Sequence, residues 1–307
     1  MKYAILVIAA NLLIGSSGAQ VTGVLAELNA YYDSTRIKSG NIPAALVVTK
    51  RGEVLLERYE AGVFEGLSVP VDERTMFTIA SATKSYAAAL LLNLQKDGLL
   101  WLNDPVGKFL PAFRTRGAGL FDRREVLVRH IASHTSGSSI PKGKYEWSDT
   151  PPDLEWVQID TPPGGVWDYS SIGMHHLQRT IEAAKGKDYQ TALRERILDP
   201  LGLKGTRFVF DGDSGLPVLP RRIDTERDPP EVYYWAHEQH LVGVGIYTTV
   251  RDLNRFCQMM ISDGTFGGHL YFNSEAENSS GCSTRSDRPI RANTGFPGGC
   301  SRKRAAT

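Results

Sequence analysis

Residues 82–94 limit the possible folds more than any other part of the chain, because they read as a helix that is apolar nearly all round. No charged residue falls within 86–92, and Gly98 is placed to stop the helix. Such a helix has no face to offer water, so the remaining elements must pack around it. A chain of 307 residues has enough length to do this as one large domain or two modest ones, which excludes a small disulfide scaffold.

The flanking segments alternate in period. Residues 21–37 follow an amphipathic helical pattern, and residues 44–48 and 54–59 are β-rich runs around the turn Lys50-Arg51-Gly52-Glu53, predicting a hairpin. From residue 99 to about 232, short helices alternate with loops carrying Pro105, Pro111, Pro141, Pro151, Pro152, Pro162 and Pro163, the texture of a helical, loop-rich insertion. Two helices stand out within it. One covers 171–185, with Met174, Leu177, Ile181 and Ala184 on one face before Gly186; the other covers 189–198, ahead of Pro200. A glycine-interrupted β-like run, 241–248, precedes a helix that Thr249 caps, with Asp252 at the acidic capping-box position and Gly264 beyond its end. Leu253, Phe256, Cys257, Met260 and Ile261 recur at helical spacing and are expected to point into a core. The mixed order predicts α+β rather than a regular βαβ repeat.

The two ends differ from the middle. Lys2 precedes a largely apolar run over 4–14, and Ser17-Gly18-Ala19 offers small residues for cleavage before Gln20, so residues 1–19 read as a secretory leader. The run is well short of the roughly 20 residues needed to span a bilayer. The expected destination is secreted or periplasmic, with no membrane span once the leader is removed. At the other end only 8 of the 35 residues 273–307 are apolar, and this tail is expected to be poorly ordered. The organisation is then leader 1–19, folded domain 20–272 and atypical tail 273–307. Export permits a disulfide; of three cysteines Cys257 is the odd one, and Cys282 and Cys300 either bridge or stay free. Lys plus Arg (35) nearly cancels Asp plus Glu (34), so no nucleic-acid partner is expected.

The chemistry is concentrated at Ser81-Ala82-Thr83-Lys84, where a β-like run, 76–79, meets the apolar helix. Residues three apart share a helix face, which puts an ammonium beside a hydroxyl at the helix start. Lysine is a poor base at its reference pKa of about 10.4, but burial disfavours its charged form, and the neutral amine can take the serine proton. Tyr169-Ser170-Ser171 lies 88 residues downstream, after Pro162-Pro163-Gly164-Gly165, and a phenol at such a turn can relay protons to a leaving group.

With these residues in place the chain resembles the serine β-lactamases and penicillin-binding proteins, especially their class C-like branch of carboxylesterases and D-amino-acid peptidases. The resemblance is carried by Phe77-Thr78-Ile79-Ala80-Ser81-Ala82-Thr83-Lys84, by Leu102-Asn103-Asp104-Pro105-Val106 through Leu110-Pro111, and by His134-Thr135-Ser136-Gly137. It continues in order through Pro162-Pro163-Gly164 to Tyr169-Ser170-Ser171, Pro200-Leu201-Gly202-Leu203 and Gly243-Val244-Gly245-Ile246-Tyr247-Thr248-Thr249, covering roughly residues 24–268. It implies a β-lactamase/transpeptidase-like α+β fold, an antiparallel sheet flanked by helices with a helical subdomain. It also implies Ser81 as acylated nucleophile, Lys84 as its base and Tyr169 as proton relay, with no cofactor and no metal. The implied substrate is a small ester, lactam or peptide.

Two departures bear on the implied activity. Ser171 takes the third place of the family's Tyr-x-Asn motif, which removes an amide from the substrate-binding side and leaves ester hydrolysis open. The family's Lys-Thr-Gly or His-x-Gly strand has one local counterpart, Asn293-Thr294-Gly295, which lacks the cation and is only 124 residues beyond Tyr169. The twelve residues after Gly295 leave no room for a closing strand and terminal helix, so a truncated or frame-shifted member is expected. Loss of one oxyanion donor costs on the order of 2.7 to 4 kcal/mol in a site built around two. The alternative is therefore a non-catalytic or inactive fragment of the same fold that binds cell-wall-like or acyl ligands.

Other constellations point away from metal chemistry. His130 and His134 are four apart without the glutamate of a zinc protease, and packing explains them. His237 and His240 suit a polar turn, adjacent His175 and His176 face different directions, and Arg302-Lys303-Arg304 reads as a solvated terminus.

Overall fold

Strand β1 (Leu6–Ala9), helix α1 (Gly18–Lys38), strand β2 (Ala44–Lys50) and strand β3 (Glu53–Glu60) open the chain in a computed structural model, which describes residues 6–9, 18–64, 66–111, 113–117, 125–139, 156–208 and 242–273. All of these belong to the unit Met1–Ala276; the second unit, Glu277–Thr307, lies outside the described residues. The expected hairpin is present, with Lys50 paired to Glu53 across Arg51 and Gly52. Those two turn residues have φ of 52° and 85°, the left-handed pair that suits the twist of a tight hairpin.

The sheet order is β1-β2-β3. β2 and β3 are antiparallel, as expected, but β1 joins β2 in parallel, Leu6 opposite Leu46. Part of the segment that reads as a leader therefore edges the sheet. Both faces of β2 are covered. Ala44, Leu46 and Val48 pack with Tyr32 of α1 and the partly buried Leu25 and Leu28, while Ala45 and Val47 meet Phe77 and Val250. Two-sided burial is the reason the strand is an almost unbroken apolar run rather than an alternating one. Arg58 ties β3 to α1, donating to Asn29 at 3.0 Å and to Asp33 at 2.7 Å.

Strand β4 (Phe77–Thr78) runs through a short 3₁₀ turn, Ala80–Ala82, into helix α2 (Thr83–Lys96). This is the expected apolar helix, and Tyr86, Ala87, Ala89, Leu90, Leu91 and Leu94 are all buried. Gly98 ends it at φ 71°: its N–H reaches Gln95 O at 2.9 Å and the N–H of Leu99 reaches Leu94 O at 3.0 Å, a Schellman pair. The principal core forms around α2, and the Tyr86 ring stacks on Phe256 at 3.9 Å between centroids.

The insertion supplies helices α3 (Val128–Ala132), α4 (Ser171–Lys185) and α5 (Tyr189–Leu193). α4 has the expected bounds. Ser170 caps it by accepting from the Gly173 N–H at 3.1 Å, and Gly186 closes it at φ 69°. The single helix expected over 189–198 instead continues from α5 as one wider π turn, Arg194–Leu198.

Strands β5 (Thr206–Phe208) and β6 (Ile246–Thr248) form a second antiparallel sheet with β4, in the order β5-β6-β4. The strand expected over 241–248 is thus shorter than its β-like run. Helix α6 (Val250–Ile261) follows, and the Asp252 N–H donates to Thr249 Oγ1 at 3.2 Å as the cap requires. The capping box does not close. The Asp252 carboxylate turns to the Gly205 N–H at 2.6 Å and the Thr206 hydroxyl at 3.1 Å, and burial raises its pKa. Of the face expected to point into the core, Phe256 is buried and Leu253 and Met260 pack partly buried against it, while Cys257 is half-buried and Ile261 is 47% exposed; Val250 and Met259 are buried in addition. The reason is polar. Asn254 is buried and accepts from the Thr49 hydroxyl of β2 at 2.6 Å, so part of the inward face of α6 is polar. Among the described residues no helix is long and apolar enough to cross a membrane.

Candidate active site

The turn between β4 and α2 is where the backbone leaves ordinary conformations. Ile79 still pairs with the sheet, its N–H reaching Ile246 O at 3.1 Å, and then Ala80 adopts φ 44°, in the left-handed region that a residue with a Cβ seldom enters. That reversal puts Ser81 at the head of α2, exposed, with the partial positive charge of the helix N-terminus beside its oxygen. Lys84 is one turn further on. Its Nζ donates to Gly243 O at 2.8 Å and to Ser81 Oγ at 3.2 Å. A Cβ at position 243 would come within 3.4 Å of Nζ, so glycine leaves the ammonium room to reach that carbonyl.

Tyr169 arrives from the other side. Its hydroxyl and Ser81 Oγ share a hydrogen bond at 2.9 Å, and Lys84 Nζ lies 4.9 Å from the centre of its ring. The structure thus brings the hydroxyl, the amine and the phenol of Ser81, Lys84 and Tyr169 together. The serine and the lysine are not hidden from water as expected: Ser81 is exposed, as is Tyr169, and Lys84 is half-buried. The cause is their place on the rim of the core. Thr83 and Tyr86 point inward and are fully buried, which turns Ser81 and Lys84 toward the opening. The chemical capacity is that of an activated nucleophile: two groups able to exchange a proton are in hydrogen-bonding reach of one serine oxygen.

The loop bearing Tyr169 is held by the turn 134–137. Gly164 donates to Thr135 O at 2.7 Å, Asp168 donates to His134 O at 2.8 Å, and the Ser170 N–H donates to His134 Nδ1 at 3.2 Å. The hydroxyls of Ser136, Ser138 and Ser170 form a chain, at 2.7 Å and 3.2 Å. Gly137, at φ 72°, permits the closest approach, since a Cβ there would lie 2.0 Å from Thr161 O. The His134 ring stacks on Tyr169 at 4.6 Å, and Trp167 beside it is 65% exposed. Burial and the charge of Lys84 lower the His134 pKa.

Sequence reasoning left two of these neighbours without a role in the site: Gly243, whose carbonyl holds Lys84, and His134, read only as packing. The one signal for His134 was its own four-residue turn motif. His130 uses Nδ1 to accept from the Leu127 N–H at 3.2 Å. Of the other residues singled out, Ser171 opens α4 two positions after Tyr169. Asn293, Thr294 and Gly295 lie outside the described residues, as do His237, His240, Cys282 and Cys300. His176 is buried against Phe113, ring centroids 5.0 Å apart, and His175 is half-buried. Among the described residues no group of three His, Cys, Asp or Glu side chains is placed to hold a metal ion.

Two sheets and a central helix arranged in this way make up a β-lactamase/transpeptidase-like fold, with the serine-lysine-tyrosine contact at the head of the central helix. The family model described as Beta-lactamase matches residues 28–297. The chain belongs to the Beta-lactamase family. Among curated relatives, Esterase EstB of Burkholderia gladioli is 28% identical over 205 residues, 60% of this chain and 51% of that protein. Penicillin-binding protein 4 of Amycolatopsis lactamdurans is 28% identical over 246 residues, 76% of this chain and 63% of that protein. The chain therefore spans between half and two thirds of the length of these relatives. The solved octameric penicillin-binding protein homologue from Pyrococcus abyssi superposes with a TM-score of 0.60 at 23% identity, covering 82% of this chain and 58% of that one, a similarity of fold.

Proposed function

We propose that this chain is an exported serine hydrolase that cleaves a small ester or amide through an acyl-enzyme on Ser81, with Lys84 as base and Tyr169 as proton relay. The observation that carries the reading is the double contact on one oxygen: Tyr169 OH at 2.9 Å and Lys84 Nζ at 3.2 Å from Ser81 Oγ. In its neutral form the Lys84 amine takes the Ser81 proton as Oγ attacks the substrate carbonyl carbon. The carbonyl electron pair moves onto oxygen, next to the N-terminus of α2. When the tetrahedral adduct collapses, the C–O or C–N bond breaks and the leaving alkoxide or amine collects its proton through Tyr169. Water then adds to the acyl carbon and gives a proton to the same pair; collapse breaks the bond from that carbon to Ser81 Oγ, the proton returns to Oγ, and the acid is freed. No step calls on a metal or a cofactor.

Ester substrates are favoured over penicillin-type lactams. The serine at 171, where the family motif has asparagine, removes an amide that would grip a peptide-like side chain, and one relative is named an esterase. Residues 1–19 support export, and protein recovered from outside the cell should begin at Gln20. The function is tested by labelling the full chain with a fluorophosphonate and with a fluorescent penicillin, alongside p-nitrophenyl ester hydrolysis. Ser81→Ala should abolish labelling and turnover; equal labelling of that variant refutes the assignment. A folded wild-type chain that neither labels nor turns over ester marks a non-catalytic binder of the same fold.

A further inference from the structure

His134 touches three consecutive residues of the loop that delivers the phenol. Its carbonyl accepts from the Asp168 N–H at 2.8 Å, its ring stacks on Tyr169 at 4.6 Å, and its Nδ1 accepts from the Ser170 N–H at 3.2 Å. It does so from a left-handed backbone, φ 57°, in a turn whose Gly137, three residues on, is left-handed again at φ 72°. The first contact is independent of protonation. The last is not, because an imidazolium carries hydrogen on Nδ1 and presents a donor to a donor.

We propose that His134 is a positioning residue whose neutral ring locks Tyr169 against Ser81 and whose protonation releases it, giving the hydrolase an acid shut-off. This rests on the Ser81 reading above and adds a regulation to that site.

The groups that face His134 set the direction. From α2 comes the Lys84 ammonium; from the loop come the Asp168 carboxylate and the Tyr169 phenol, with the Trp167 ring edge-on at 6.2 Å. A second cation formed on the imidazole would stand beside Lys84, which already occupies the neighbourhood of the Tyr169 ring. Burial first and then Lys84 act against that cation and outweigh the Asp168 carboxylate, which acts for it, so the pKa of the ring lies below its ordinary range. Loss of the lock is thus an event of acid pH and leaves the neutral enzyme untouched.

The test compares fluorophosphonate labelling rates of wild type and His134→Asn between about pH 8 and about pH 4. Asparagine tolerates a left-handed backbone and offers a side-chain oxygen to the Ser170 N–H, but it does not titrate in this range. At neutral pH His134→Asn should label within about tenfold of wild type. The ratio of wild-type to variant rate should then fall about tenfold for each pH unit below the His134 inflection. A ratio that stays constant with pH, while labelling still requires Ser81, overturns the inference and leaves the function standing. Labelling that survives Ser81→Ala is the separate signature of a failed functional reading. Should His134→Asn not fold, carbon-13 spectra of wild type labelled in histidine and tyrosine decide the matter: His134 and Tyr169 signals must move with one inflection, and independent inflections refute the lock.

Discussion

The two halves of the candidate site are held by different forces. Lys84 rides on α2 and Ser81 on the short turn that leads into it, and the α2 side chains Tyr86, Leu90, Leu91 and Leu94 are buried in the principal core. Tyr169 rides on a loop that owes its position to hydrogen bonds: Gly164 to Thr135, Asp168 to His134, Ser170 to His134 and the serine chain 136-138-170. Apolar burial is non-directional and fixes an element in bulk, whereas a hydrogen bond fixes one atom against another. The nucleophile side should therefore fail by losing stability, and the phenol side by losing activity.

The largest effect is expected where chemistry and geometry coincide. Tyr169→Phe keeps the ring that stacks on His134 and removes only the hydroxyl 2.9 Å from Ser81, so ester turnover should fall by about 10² to 10⁴ with little change in melting temperature. Thermal denaturation beside kcat separates the two readouts. A variant that melts early would show that the phenol also holds the loop.

The opposite pattern is expected from Tyr86→Ala, which empties a fully buried site two residues after Lys84 and removes the stack on Phe256. A large-to-small aromatic change in a core costs about 3 to 5 kcal/mol. Urea denaturation should show that loss, while the fraction still folded labels at near the wild-type rate. Labelling that collapses at full stability would contradict the division.

Acid pH acts on the core through His176. Its side chain is 1% exposed, neither ring nitrogen has a hydrogen-bond partner among the described residues, and burial together with neighbouring His175 and Arg179 lowers its pKa to about 4. The unfolded chain binds the proton near 6.5, so between the two values the unfolded state holds more protons and stability falls as pH falls. The contribution is complete above about 6.5 and lost below about 4, a change of about 3 kcal/mol. His176→Phe should make the stability profile shallower in that window, the remaining slope coming from His175, whose pKa burial also lowers to about 4. A variant with the wild-type slope would assign acid sensitivity to other groups.

The difference between the two halves also governs what could be read in advance. The Ser81-to-Lys84 spacing, the apolar helix with its Gly98 stop, the hairpin and the bounds of α4 were all legible, because each is a local pattern whose period matches its structure. The neighbours of those elements were not. Asp252 sits where a capping box would close yet serves Gly205, 47 residues away in sequence, and Asn254 turns inward to Thr49 across 205 residues. Local spacing has no access to partners so distant. The exposure of Ser81 was hidden for a related reason: an apolar sequence around a residue tells which helix is buried, not which edge of it meets the opening.

The smallest and sharpest probe of the comparison is Ser170→Ala. Ser170 Oγ caps α4 through the Gly173 N–H and closes the serine chain with Ser138, while the Ser170 N–H holds the ring of His134. Only the side chain is removed, so the backbone bond to His134 stays. Loss of a helix cap costs about 1 kcal/mol. If the phenol is positioned chiefly by the bonds from His134, turnover should stay within about tenfold of wild type despite that loss, measured as kcat at saturating ester. If turnover falls as far as in Tyr169→Phe, the serine chain rather than His134 sets the phenol, and the polar half of the site must be read from Ser136 outward.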